Sequence, residues 1–173
     1  LLLSLFSVGV AIGSLLCKLL TKNKVGLTLL PFGIIGLSVF AFDLYIGLSQ
    51  FHHLPSDGYL TVTALLAKSG AIRIFMDLFL IGFFGGLYIV PLYALMQAYA
   101  PTDHRARIVG ANNIFNALFM VLSAVFAIVI LSVLKLSIGD LFLITGIINA
   151  IFGLFLYKKL QRYKNTMTIA DDD

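Results

Sequence analysis

Five long, mostly apolar runs divide this 173-residue chain, at 1–20, 25–48, 74–98, 109–134 and 140–157. A helix rises 1.5 Å per residue, so about 20 residues cross the roughly 30 Å of hydrocarbon in a bilayer. None of the runs alternates apolar and polar residues as a lipid-facing strand would. Helices then remain as the way to satisfy every backbone group in lipid. Composition agrees: 60% of the residues are hydrophobic and 12% charged, where a soluble domain has about 45–50% and about 25%. The sequence therefore predicts an all-α membrane protein with five transmembrane helices.

Charges and chain breakers gather between the runs. The first connection holds Lys22 and Lys24, the third Pro101, Asp103, His104, Arg105 and Arg107, and the fourth Lys135. The second, longer one holds His52, His53, Pro55 and Asp57. Its stretch from Leu60 to Lys68 reads equally as a short interfacial helix or as an ordered loop. A polar tail, 158–173, ends in three aspartates.

Basic residues set the orientation. Lys18, Lys22, Lys24, Arg105, Arg107, Lys158, Lys159, Arg162 and Lys164 make nine on one side, against Lys68, Arg73 and Lys135, three on the other. The C-terminus is expected in the cytoplasm. Tyr45 and Tyr59 would flank the outer surface, Tyr99 and Tyr157 the inner one. A formal charge of +4 placed at span ends speaks for topology rather than nucleic acid. The chain opens inside an apolar run at Leu1 and reads as a piece of a longer protein.

Within the spans, Gly9 and Gly13 are four apart, as are Gly82 and Gly86, with Gly85 between the latter two. Small residues at that spacing let helix backbones approach closely, and also suit helices that rock during transport. Pro91 removes a backbone donor from the third span and predicts a kink. With Gly82, Gly85 and Gly86 it makes that span the candidate for gating.

Polar groups at depth are the candidate functional residues, because they are costly in hydrocarbon. Asn112 and Asn116 are one turn apart, with Ser123 continuing their face. Thr145 and Asn149 are one turn apart in the fifth span. Either pair serves as glue between helices or as the lining of a wet cavity. Arg73 and Asp77, one turn apart, are expected to pair; the alternative gives Asp77 a proton or a cationic headgroup. Asp140 opens the fifth helix, where an acid suits the dipole.

Cys17 is the one cysteine and reads as a small buried hydrophobe. Neighbouring histidines without a third ligand are a weak metal signal. No Gly-rich phosphate loop, paired acids or serine elbow is present, so no catalytic residue, metal or cofactor is assigned, and an enzyme is not expected.

Gly13-Ser14-Leu15-Leu16-Cys17-Lys18, followed by Lys22 and Lys24, resembles the cytoplasmic loop motif of major facilitator transporters; Cys17 stands where that motif has its acid. Pro101-Thr102-Asp103-His104-Arg105-Ala106-Arg107, running into Gly110, resembles the loop between the tenth and eleventh spans of that superfamily. More specifically, the stretches 5–17, 77–86, 90–97 and 104–114 are similar to the bacterial lysophospholipid transporter family. Val90-Pro91-Leu92-Tyr93-Ala94-Leu95-Met96-Gln97 and His104-Arg105-Ala106-Arg107-Ile108-Val109-Gly110-Ala111-Asn112-Asn113-Ile114 carry most of that likeness.

The resemblance implies that the five spans correspond to spans 8–12 of a twelve-span fold in the bacterial inner membrane. It implies loop-motif roles for Gly13, Lys18, Arg105 and Arg107, and alternating access with the N-terminal half of the same transporter. The implied cargo is a lysophospholipid, moved from the outer to the inner leaflet, with an acyltransferase and an acyl-carrier-protein synthetase as partners beside the membrane lipids. Asp77, Asn116, Thr145 and Asn149 would then solvate or attract its headgroup. A facilitator of the same fold moving a drug or metabolite, and a membrane module of a fused acyltransferase, are the competing expectations.

Overall fold

The computed structural model describes residues 2–21, 27–50 and 70–170, with the backbone alone for 27, 160 and 163–170. These form α1 (Leu2–Thr21), a short 3-10 turn (Leu27–Leu29), α2 (Leu30–Gln50), α3 (Ala71–Tyr99), α4 (Arg105–Ile128, carried on by a π turn at Val129–Val133) and α5 (Ile138–Ala170). All five helices are long and apolar enough to cross a membrane, and no strand occurs among the described residues. The chain is an all-α, multi-pass membrane protein in architecture. The expectations for Lys22 and Lys24, for 51–69 and for the three terminal aspartates lie outside the described residues.

Helix ends follow local chemistry. Gly70 caps the start of α3 in the left-handed region, at φ 89°, which costs glycine little. The α4 terminus closes as Leu136 N donates to Ile130 O at 3.1 Å, with Lys135 at φ 54° in the position usually given to glycine. Ser137 then opens α5 with a capping box. Its Oγ accepts from Asp140 N at 3.1 Å, and Asp140 Oδ2 accepts from Ser137 N at 2.9 Å. The apolar part of the fifth helix covers Ile138–Lys159, and the helix continues into the polar tail as far as Ala170. No glycine or proline follows Gly153 to break it.

Packing joins α1 to α3, α3 to α2, and α2 to α5. Glycines fix these seams. Gly9 and Gly13 lie against the backbone of Phe79 and Phe83, while Gly82 and Gly86 lie against the backbone of Phe6, Val10 and Ser14. The numbers rise together, so α1 and α3 are parallel. On the other side Gly33 meets Tyr88, Gly36 meets Phe84, and Gly47 meets Ile74. These numbers run oppositely, so α2 is antiparallel to α3. Gly139 beside Tyr45, Gly146 beside Ala41, and Gly153 beside Ile34 make α5 antiparallel to α2. This is the alternation that successive crossings of one bilayer demand.

The buried core follows the same seams: Cys17, Leu30, Ile34, Ala41, Leu44, Phe75, Leu87 and Pro91. Helix α3 runs through Pro91 without interruption. Helix α4 differs from the rest. It has no buried residue over Arg105–Ile128, and Ile114, Phe119 and Met120 are strongly exposed. Lipid or another protein surface is the natural cover for such a face.

Candidate functional site

Polar side chains inside the spans fall into three groups, set by which helix faces meet. The first joins α3 to α4. Tyr93 Oη accepts hydrogen bonds from Asn116 Nδ2 at 3.0 Å and from Asn112 Nδ2 at 3.3 Å. The two amides stack because residues four apart share a helix face. Tyr93 is 37% exposed, so the group opens sideways from an otherwise apolar wall. The two amide oxygens and the phenol proton take no part in these two bonds. They leave acceptors and a donor for a visiting polar group. Ser123, on the same face, donates to Met120 O of its own helix at 2.8 Å.

The second group is a seam between α2 and α5. Asn149 Nδ2 donates to Ile34 O at 3.1 Å and to Ser38 Oγ at 3.0 Å, and Ser38 Oγ donates to Gly146 O at 3.0 Å. Every bond runs between the two helices, so Asn149 acts as interhelical glue. Thr145 turns away from this seam and donates to Leu141 O, one turn back, at 2.7 Å.

The third group lies near the other end of α3. Arg73 does not pair with Asp77 as its spacing suggested. Its guanidinium holds both carboxylate oxygens of Asp43 on α2, Nε to Oδ2 at 3.1 Å and Nη2 to Oδ1. An acid following a base along one helix is the less favourable order, and Asp43 offers the two-pronged geometry that arginine prefers. Asp77 is 2% exposed, and its Oδ2 has no hydrogen-bond partner among the described residues. It points toward Gly47 on α2.

These groups are not one site. Asp77 and Tyr93 are about 24 Å apart along α3 and about 160° around it, at 1.5 Å and 100° per residue. Asn116 belongs with Tyr93 and Asn112, Asn149 and Thr145 lie on α5, and Asp77 faces α2. Sequence reasoning did not select Tyr93, Ser38 or the Arg73–Asp43 pair. A tyrosine inside a span, between one and two turns short of the belt position Tyr99, was the available signal for the first. The others depend on which helices meet.

The glycines assigned to gating divide as well. Gly82 and Gly86 interlock with α1, whereas a side chain at Gly85 would meet only Leu37 Cδ2, at 3.9 Å. In the loop motifs, Gly13 is buried against α3, and Lys18, Arg105 and Arg107 are exposed. His104 and Asp103 pair with each other at 2.7 Å in the turn before α4. No group of three or more His, Cys, Asp or Glu side chains able to hold a metal occurs among the described residues. No family model matches this chain, and neither a curated protein nor a solved structure matches it.

Proposed function

We propose that this chain forms part of a transporter that moves a lysophospholipid across the bacterial inner membrane, with its C-terminus in the cytoplasm. The observation that carries the reading is the Tyr93–Asn112–Asn116 group, a polar patch on an open apolar wall. A lysophospholipid presents two unlike parts. Its acyl tail costs nothing to leave in lipid; its zwitterionic headgroup costs a great deal there. The patch meets the second need. Amide oxygens accept from an ammonium, and the phenol and amide N–H groups donate to a phosphate. Because α4 buries none of its faces, the tail can remain in hydrocarbon beside it while the headgroup is held.

The resemblance of 90–97 and 104–114 to lysophospholipid transporters supports the same cargo, and covers Tyr93 and Asn112. On this reading the spans are 8–12 of a twelve-span major facilitator fold. The antiparallel alternation of α2, α3 and α5 is compatible with that assignment. The site would work with the N-terminal half in alternating access, and an acyltransferase would consume the delivered lipid.

The test is flipping of fluorescent lysophosphatidylethanolamine in vesicles containing the whole transporter. Replacing Asn112 and Asn116 together by Ala removes two hydrogen bonds, each of about 1 kcal/mol. The expected result is a loss of flipping of at least about tenfold, with Tyr93→Phe intermediate. Unchanged flipping in the double variant would overturn the site. Uptake of an unrelated solute with no lysophospholipid flipping would overturn the cargo.

A further inference from the structure

We propose that Asp77 is a proton-binding site within the membrane, and that Arg73 governs it by choosing between Asp77 and Asp43. The inference holds whatever the cargo is.

The argument starts from one arginine and two acids. Arg73 and Asp77 share α3, one turn apart; Asp43 reaches in from α2. The fork of Arg73 is fully engaged by the two oxygens of Asp43. Asp77 is left 2% exposed, with Oδ2 unpartnered. Among the described residues, an ionised carboxylate in that position would lie buried beside the Asp43 carboxylate with Arg73 already engaged, which is costly. The group is neutral while Arg73 holds Asp43: it carries a proton.

Among the described residues of the helices packed beside it, no other charge changes this balance. Helix α1 has no titratable residue between Leu2 and Val10, the stretch that packs beside this end of α3, and its Cys17 and Lys18 lie toward the far end. Helix α2 offers Asp43 alone; Tyr45 turns to Gly139 on α5.

The arrangement has a second state. Asp43 is partly exposed, with 35% of its side chain accessible, so it tolerates ionisation without Arg73. If Arg73 swings to Asp77, the Asp77 O–H bond breaks, the proton passes to the released, partly exposed Asp43 carboxylate and from there to water, and the Asp77 carboxylate takes the guanidinium. The ion pair between α2 and α3 is then lost, while the glycine seam between them remains. Proton occupancy of Asp77 and the Asp43–Arg73 ion pair are thus two readings of one exchange. Gly47, against which Oδ2 lies, presents no side chain to obstruct it.

The test uses the purified protein in lipid nanodiscs and needs no transport substrate. A hydrophobic carbodiimide modifies protonated carboxyl groups within the membrane. Near neutral pH it should label Asp77 and spare Asp43, as mapped by mass spectrometry. Asp43→Asn frees Arg73 to pair with Asp77, so labelling of Asp77 should fall by about tenfold, the change that one pKa unit carries. A purely structural role for Asp43 would not lower it. The infrared band of a protonated carboxyl group should be present in the parent protein and absent in Asp77→Asn. Absence of that band in the folded parent, or undiminished Asp77 labelling in Asp43→Asn, would overturn the proposal. Neither result bears on the lipid reading.

Discussion

At the scale of the residue, neighbouring glycines do different things. A Cβ at Gly86 would sit 2.6 Å from Val10 O and 2.7 Å from Ser14 N, backbone atoms that cannot yield. Gly86→Ala should therefore cost about 1–3 kcal/mol of stability and push α1 from α3. Gly85→Ala should be neutral or slightly stabilising, since Ala is the better helix former. Thermal unfolding of the two variants in detergent checks the contrast. Ser137→Ala removes the cap on α5 and should cost about 1 kcal/mol in the same assay. The Gly9/Gly13 and Gly82/Gly86 pairs were legible in the sequence because small residues four apart form a groove wherever a helix forms. Arg73 was not: spacing along one helix offered Asp77, while Asp43 comes from a neighbour whose rotation no one-dimensional pattern records.

At the scale of the element, all five helices were visible as apolar runs, because each must satisfy its own backbone in lipid. Their ends were less visible. The apolar signal of α5 stops near Tyr157, but helical hydrogen bonding does not depend on apolarity and carries on to Ala170. The polar pairs on α4 and α5 were also legible as pairs, since the 3.6-residue period fixes which residues share a face. What each face meets was not. Asn149 closes the α2–α5 seam, whereas Asn112 and Asn116 share Tyr93 across an open wall. Asn149→Ala should thus destabilise the protein by about 1–2 kcal/mol and leave lysophospholipid flipping little changed in the surviving folded fraction. Asn116→Ala, which loses one partly exposed hydrogen bond, should cost at most about 1 kcal/mol of stability and cut flipping strongly. Comparing unfolding temperature with flipping rate for the two variants separates glue from lining.

At the scale of the whole molecule, the packed seams follow the spatial order α1, α3, α2, α5, while α4 stands apart with no buried face. That order is not the chain order, and nothing in the run of apolar segments announced it. The glycine registers give the relative directions, α1 parallel to α3 and α2 antiparallel to both α3 and α5; which surface faces the cytoplasm is the expectation drawn from the basic residues. Both readings of function rest on this threading. It puts Tyr93, Asn112 and Asn116 near the more basic surface and the Asp43–Arg73–Asp77 exchange near the other, on opposite faces of α3. The decisive measurement is membrane-side labelling of single cysteines, introduced at His104, Ser137 and Lys159 in a Cys17→Ser background. Five crossings predict that an impermeant thiol reagent reaches 104 and 159 from the cytoplasmic side only, and 137 from the opposite side only. Labelling of 104 and 159 from opposite sides would contradict the account.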